Sequence, residues 1–334
     1  MNISNLNDEA IIFLDKMFIE IKRNQVNLYH WEIDHLCYRS SSIDHYNMLK
    51  KSFRAFSTLL SEVEINGRPI STFKLSKPIF YKDYTIDLIE IPAPKPGKEI
   101  RSGFEHFELV VDVSFDQIIS AYPNSTFKKT GMTKVINPEL QMTLESGAIK
   151  FHHSSLEYVI NIENSMPVMS FLENSQILER LASYKPLISG SYPLNIATRE
   201  SDLDILFQSK NLNLFKSDVM SLFSDNDSLI IKEKRHQDIS SLIISLKYNE
   251  LVIELFCQNK DVYRQQSNLH FLIEGRLLKL FPKIQNKIHV LKKSGIKTEP
   301  AFGEVFDLTA PYEELLELQL KSDKELRTLY QHLC

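Results

Sequence analysis

The chain has 334 residues, 43% of them hydrophobic and 25% charged, and a formal net charge of -4. That length exceeds what one small core organises, so two domains are expected, with the composition of an ordinary folded protein. The charge balance excludes a polycation built to coat nucleic acid and leaves no strong nucleic-acid signal.

The opening residues MNISNLNDEAIIFLDKMF carry acids and lack a basic start running into an apolar stretch, so no secretory signal is expected there. Residues 7–25 predict an amphipathic helix with Ile11, Ile12, Leu14, Met17, Phe18 and Ile21 on one side. Strand-like runs then dominate to about residue 163, including Ile33–Tyr38, Ile70–Leu75, Thr85–Ile91, Phe104–Val111 and Ala148–Phe151. Helical stretches are predicted near 43–61 and 114–122. Pro92-Ala93-Pro94-Lys95-Pro96-Gly97 reads as a stiff connector. Residues 162–168, IENSMPV, read as the joint between domains 1–165 and 166–334. Beyond it come a helical region, a Gly190-Ser191 turn, strands at 202–208, 240–246 and 250–256, and a mostly helical part from about 262. No apolar run reaches the roughly 18 residues of a membrane span. A cytoplasmic location without membrane partners is the expectation. Cys37, Cys257 and Cys334 are few, far apart and without a C-x-x-C pair, which argues against a disulfide framework or a zinc knuckle.

The first half repeats itself weakly. Ile33-Asp34-His35-Leu36-Cys37 and Phe104-Glu105-His106-Phe107-Glu108 share an apolar-acid-His-apolar pattern, offset by 71 residues (106 − 35). Each is followed by a helix and then strands, and each series ends in a strand with a candidate ligand, Glu90 or His152. Two βαβββ units of this kind can pair into a half-open barrel whose first and last strands line one cavity. Histidines and a carboxylate converging there suit a divalent transition metal such as Zn²⁺, Fe²⁺, Mn²⁺ or Ni²⁺. Of His152 and His153 only one can enter the cavity, because strand neighbours face opposite sides. Cys37 shares the His35 face and reads as a small buried core residue.

Further stretches extend the pattern: Gly67-Arg68-Pro69-Ile70, Asp87-Leu88-Ile89-Glu90-Ile91-Pro92 and Ile149-Lys150-Phe151-His152. Together with the two histidine segments they make residues from about 10 to 163 resemble the YecM family of the vicinal-oxygen-chelate superfamily. The resemblance implies a metal held by one residue from the first and one from the last strand of each module. Carried over, these are His35, Glu90 and His106, with His152 where the superfamily often has Glu. It implies lyase, isomerase or dioxygenase chemistry for the superfamily but no reaction for this branch.

In the second half, Gly190-Ser191 is followed ten residues on (201 − 191) by Ser201-Asp202-Leu203-Asp204-Ile205. A Gly-Ser turn presents backbone N–H groups to a phosphate. Aspartates at i and i+2 of a strand share one face, where they can hold Mg²⁺ against a triphosphate. Leu251-Val252-Ile253-Glu254-Leu255-Phe256 supplies a third carboxylate in an apolar strand. Burying Glu254 unpartnered would cost several kcal/mol, which implies a cation or hydrogen-bond donors beside it. The stretch 189–205 resembles the motif of polymerase-β-like nucleotidyltransferases, and the whole half resembles an uncharacterised bacterial family carrying it. The resemblance implies two-metal transfer of a nucleotidyl group: Asp202, Asp204 and Glu254 hold Mg²⁺, and Gly190 and Ser191 take the phosphates of an NTP. Lys297 reads either as a further contact to the triphosphate or as a helix-end lysine set against the helix dipole.

The expectation is therefore an α+β protein of two domains, a paired βαβββ half-barrel and a nucleotidyltransferase-like mixed sheet with a helical C-terminal part. Its expected partners are an NTP and an unknown small-molecule or macromolecular acceptor. Two alternatives stay open: a metal-dependent vicinal-oxygen-chelate enzyme with a nucleotide-sensing C-terminal domain, and a binding protein without chemistry.

Overall fold

The computed structural model describes residues 2–28, 31–95, 97, 101–236 and 239–333. Pro96 of the connector and Cys334 lie outside the described residues. The chain divides into two units, residues up to Glu157 with Ser322–Lys324, and Tyr158–Lys321 with residues from Glu325 on.

The first unit opens with α1 (Ile3–Arg23), capped by the Asn2 side chain, which accepts from the Asn5 backbone N–H. The helix thus begins earlier than its apolar spacing alone predicts, because the cap decides its start. Then follow β1 (Glu32–Arg39), α2 (Ile43–Phe53), β2 (Ser57–Ile65), β3 (Arg68–Tyr81), β4 (Tyr84–Pro92), β5 (Gly103–Val110), α3 (Phe115–Ala121), β6 (Phe127–Lys128), β7 (Leu140–Thr143) and β8 (Ala148–His152). The predicted helix 43–61 is corrected: it stops at Phe53, and Ser57–Leu59 pair with Phe73–Leu75 of β3. The Thr58-Leu59-Leu60 run has no helix stop signal, so only the ladder with β3 makes it a strand.

The sheet order is β2-β3-β4-β1-β5-β8-β7-β6. Each module places its last strand parallel to its first, β4 beside β1 and β8 beside β5. The two modules join through antiparallel β1 and β5. This is the paired βαβββ arrangement that the repeat predicts. One face packs Leu36, Ile89, Ile91, Phe107, Leu109, Ile149 and Phe151 against Leu14 and Met17 of α1, Phe53 of α2 and Ile118 of α3. Each such fully buried apolar side chain contributes about 1.5–3 kcal/mol. With a period of two, the residues between them face the other way: His35 and Cys37, Glu90, His106 and Glu108, Lys150 and His152.

After α4 (Leu156–Glu163), α5 (Met166–Ser175) and α6 (Ile177–Arg180), the second unit builds a five-stranded sheet, order β11-β12-β13-β10-β9. Its strands are β9 (Leu187–Ser189), β10 (Asp202–Gln208), β11 (Ile230–His236), β12 (Ile239–Tyr248) and β13 (Leu251–Gln258), with α7 (Leu212–Leu222) after β10. The sequence patterning misses β11, whose IIKEKRH run lacks alternation. Helices α8 (Gln266–Leu280), α9 (Ile284–Lys293), α10 (Thr298–Phe306), α11 (Pro311–Leu318) and α12 (Asp323–Leu329) complete the chain. Strand β10 alternates at its start: Leu203 and Ile205 are fully buried, while Asp202 and Asp204 take the opposite face, and beyond them Leu206 and Phe207 are both buried.

Candidate functional sites

The second unit concentrates its polar chemistry around the start of β10. Parallel pairing with β13 sets Asp204 directly across from Glu254, and antiparallel pairing with β9 sets it across from Ser189. Ligand atoms of Asp202, Asp204 and Glu254 lie within 4.8 Å of one another. Gly190 follows β9 with φ +78, and a Cβ there would overlap the Asp204 carboxylate. Glycine is therefore the residue this close approach allows. All of these line a cleft of about 510 Å³ with Lys297, Thr298 and Glu299 at the start of α10.

Burial, then the charges of Asp202 and Glu254, push the Asp204 carboxyl well above the usual range. Burial followed by Asp202 also raises Glu254. Three carboxylates so placed repel one another, and a divalent cation relieves both repulsion and desolvation.

Two cleft residues were not foreseen. Lys292, at the end of α9, donates to Ser191 Oγ at 2.8 Å and to Thr298 Oγ1 at 2.6 Å. It is thus the ammonium that engages the Gly-Ser turn, whereas Lys297 lines the cleft from the N-cap position of α10. Glu274 of α8 is 3% exposed, and its Oε1 makes no hydrogen bond. Burial, then the Glu299 charge, pushes its carboxyl well above the usual range. Neither residue carried a spacing signal, because the packing of α8 and α9 brings them to the strands.

In the first unit, ligand atoms of His35, Glu90 and His106 lie within 4.8 Å of one another. His35 Nδ1 donates to Asp34 Oδ2 at 2.8 Å, and Asp34 Oδ2 also accepts from the Leu156 backbone N–H. His35 Nε2 is buried and makes no hydrogen bond. Burial opposes charge on this ring, but Glu108 and the Asp34 hydrogen bond prevail and raise its pKa to about 10. A bound cation would replace the Nε2 proton. His106 Nε2 lies 3.2 Å from Glu108 Oε1.

The structure does not bring His152 into this group. Its Nε2 lies 2.6 Å from Glu108 Oε2. His153 turns away, stacks on Phe115 and contacts the Val113 carbonyl at 3.0 Å. Cys37, Glu105 and His106 form an overlapping group. Burial and then Glu90 hold the Cys37 thiol protonated, and Glu105 is paired with Arg39, so that group is the weaker ligand set.

Residues 2–163 match the model of the YecM family. The N-terminal half is YecM-like. Protein YecM of Escherichia coli is 26% identical over 163 residues, covering 43% of this chain and 85% of that protein. An uncharacterised protein of Haemophilus influenzae is 33% identical over 110 residues, which span 33% of this chain and 58% of that protein. Beyond the YecM-like half, residues 170–318 match a family described as a domain of unknown function, DUF4269. Among solved structures, the Cid1 poly(U) polymerase with MgGTP bound aligns at 12% identity and a TM-score of 0.32, covering 42% of this chain and 47% of that one. Among the described residues no helix is long and apolar enough to cross a membrane.

Proposed function

We propose that the second unit transfers a nucleotidyl group from an NTP to an acceptor with Mg²⁺ as cofactor. One observation carries this reading: Asp202, Asp204 and Glu254 converge in the same cleft as the Gly190-Ser191 turn. Bound Mg²⁺ would neutralise the triphosphate and favour the ionised form of an acceptor hydroxyl. Asp202, Asp204 and Glu254 would hold it. The Gly190 and Ser191 turn, with Lys292 behind Ser191 and Lys297 at the rim, would take the phosphates. Glu254, set across from Asp204 on β13, is placed to receive the acceptor's proton. The acceptor oxygen then bonds to the α-phosphorus as the bond to the leaving pyrophosphate breaks.

Incubation with each α-labelled NTP and Mg²⁺ in a cell extract tests this. Label appearing on an acceptor with wild type, and lost in Asp202→Asn and Asp204→Asn, is the expected result. Undiminished transfer by both variants would remove the assignment, and no transfer by wild type would favour a nucleotide-binding module.

A second observation supports a cation site in the YecM-like unit. The donor set of His35, Glu90 and His106 fits a divalent transition metal such as Zn²⁺, Fe²⁺, Mn²⁺ or Ni²⁺, and each ring has one nitrogen held by a carboxylate, as ligating imidazoles do. Such an ion would act there as a Lewis acid toward an oxygen ligand. Metal analysis of the purified protein tests it: stoichiometric metal retained by His35→Ala with His106→Ala would sink the ligand set.

A further inference from the structure

The surroundings of His106 follow from the two-module build. Strand register pairs Cys37 with Glu90 in the first module and Glu108 with Lys150 in the second. His35 pairs with Leu88, and His106 with Ala148. Superposing the modules therefore equates His35 with His106, Cys37 with Glu108, and Glu90 with Lys150. An ammonium stands where the first module presents a carboxylate, and an ammonium has no lone pair to give a metal. Burial works against the Lys150 charge, but Glu108, Glu90 and Glu139 more than offset it, so the side chain stays protonated.

Lys150 Nζ lies 2.9 Å from Glu108 Oε1. His152 Nε2 lies 2.6 Å from Glu108 Oε2. Lys150 thus holds Oε1 by a hydrogen bond, and His152 lies against Oε2 as an ion-pair contact without hydrogen-bond geometry. Glu108 Oε1 is also 3.2 Å from His106 Nε2. An ionised carboxylate only accepts, so the proton sits on His106 Nε2 and the lone pair on Nδ1. Asp34 orders His35 in the opposite sense, through Nδ1. The other nitrogens face carboxylates at longer range, His35 Nε2 at 3.4 Å from Glu108 Oε1 and His106 Nδ1 at 3.5 Å from Glu105 Oε2, so each ring keeps this nitrogen for a shared point.

We propose that Glu108 is a positioning residue for the cation site, with Lys150 and His152 as its anchors rather than ligands. The protein then supplies three ligands, His35, Glu90 and His106, and leaves the remaining positions of a bound divalent ion to water or to an oxygen-donor ligand. This assignment rests on the cation reading of the YecM-like unit. A carboxylate behind a ligating imidazole typically contributes about 10–100-fold to metal affinity.

Two measurements on the full chain test it. Pulsed electron paramagnetic resonance of Cu²⁺-loaded wild type counts coordinated imidazoles, and two are expected. Calorimetric titration with Zn²⁺ should find Glu108→Gln weakened about 10–100-fold and His152→Ala by less than about tenfold. Glu108→Gln strands the Lys150 ammonium, so the double variant Glu108→Gln/Lys150→Met, which removes both charges, should fold and show the same loss. Three coordinated imidazoles, or a His152→Ala loss equal to that of His35→Ala, would overturn the assignment while leaving the cation site standing. A double variant that binds Zn²⁺ as tightly as wild type would end the positioning role. Wild type that takes up neither Zn²⁺ nor Cu²⁺ overturns the cation reading itself, and this assignment with it.

Discussion

Gly190 and Asp204 are locked in a steric relationship: the turn after β9 runs so close to the β10 carboxylate that a Cβ on Gly190 would overlap it, and Gly190 holds φ +78. Gly190→Ala should therefore displace the Asp204 carboxylate and strain the turn at once. The expected cost is about 1–3 kcal/mol of stability, from backbone strain alone. Binding of Mg-ATP should fall by at least about tenfold, since one ligand of the triad moves. Urea unfolding and calorimetry read the two effects separately, and an alanine variant equal to wild type in both would show the approach to be loose.

Lys292 should matter more than Lys297 for holding phosphate. Its ammonium already binds Ser191 Oγ and Thr298 Oγ1. Hydrogen bonds to a charged group are worth about 1.5–3 kcal/mol, or about 10–150-fold in affinity. Lys292→Met should weaken Mg-NTP binding by that factor, and Lys297→Met by less. Equal losses, measured by titration with a fluorescent NTP analogue, would count against the inner position of Lys292.

Glu274 supplies a pH dependence. Its folded-state pKa is raised by burial and Glu299, so the folded protein holds this proton above the pH at which the unfolded chain, near about 4.3, releases it. The folded state then binds more protons than the unfolded, and stability falls as pH climbs through that window. Glu274→Gln keeps the shape without the ionisation. Its unfolding free energy, from urea titration, should match wild type near pH 4 and exceed it increasingly toward neutral pH, by up to about 1.4 kcal/mol per pH unit inside the window. A difference that does not vary with pH would mean that the carboxyl titrates normally.

Asp34 should tune the cation site without touching the ion. Its carboxylate accepts from His35 Nδ1 and ties that ring to the Leu156 backbone. Asp34→Asn should reduce Zn²⁺ affinity about 10–100-fold while circular dichroism stays unchanged. Unaltered affinity would show that His35 is oriented by packing alone.

Much of this was legible in the chain alone, because strands write their faces into the sequence with a period of two. Alternation puts Asp202 and Asp204 on one side of β10 and marks Glu254 as an acid within an apolar strand. The His35 and His106 repeat likewise foretells two βαβββ modules that pair. What alternation cannot carry is register between strands distant in sequence. The strand that ends the second series points to His152 as the counterpart of Glu90, yet the β5–β8 ladder gives that place to Lys150, two residues earlier on the same face. Helix packing is equally silent in one dimension. Lys292 and Glu274 have no motif around them, and only the fold of α8 and α9 over the cleft brings an ammonium to Ser191 and a buried acid near Asp204. Residue types and their faces are local properties, set by backbone geometry. Which faces meet, and at what register, depends on ladders and side-chain packing that close only when the whole unit does.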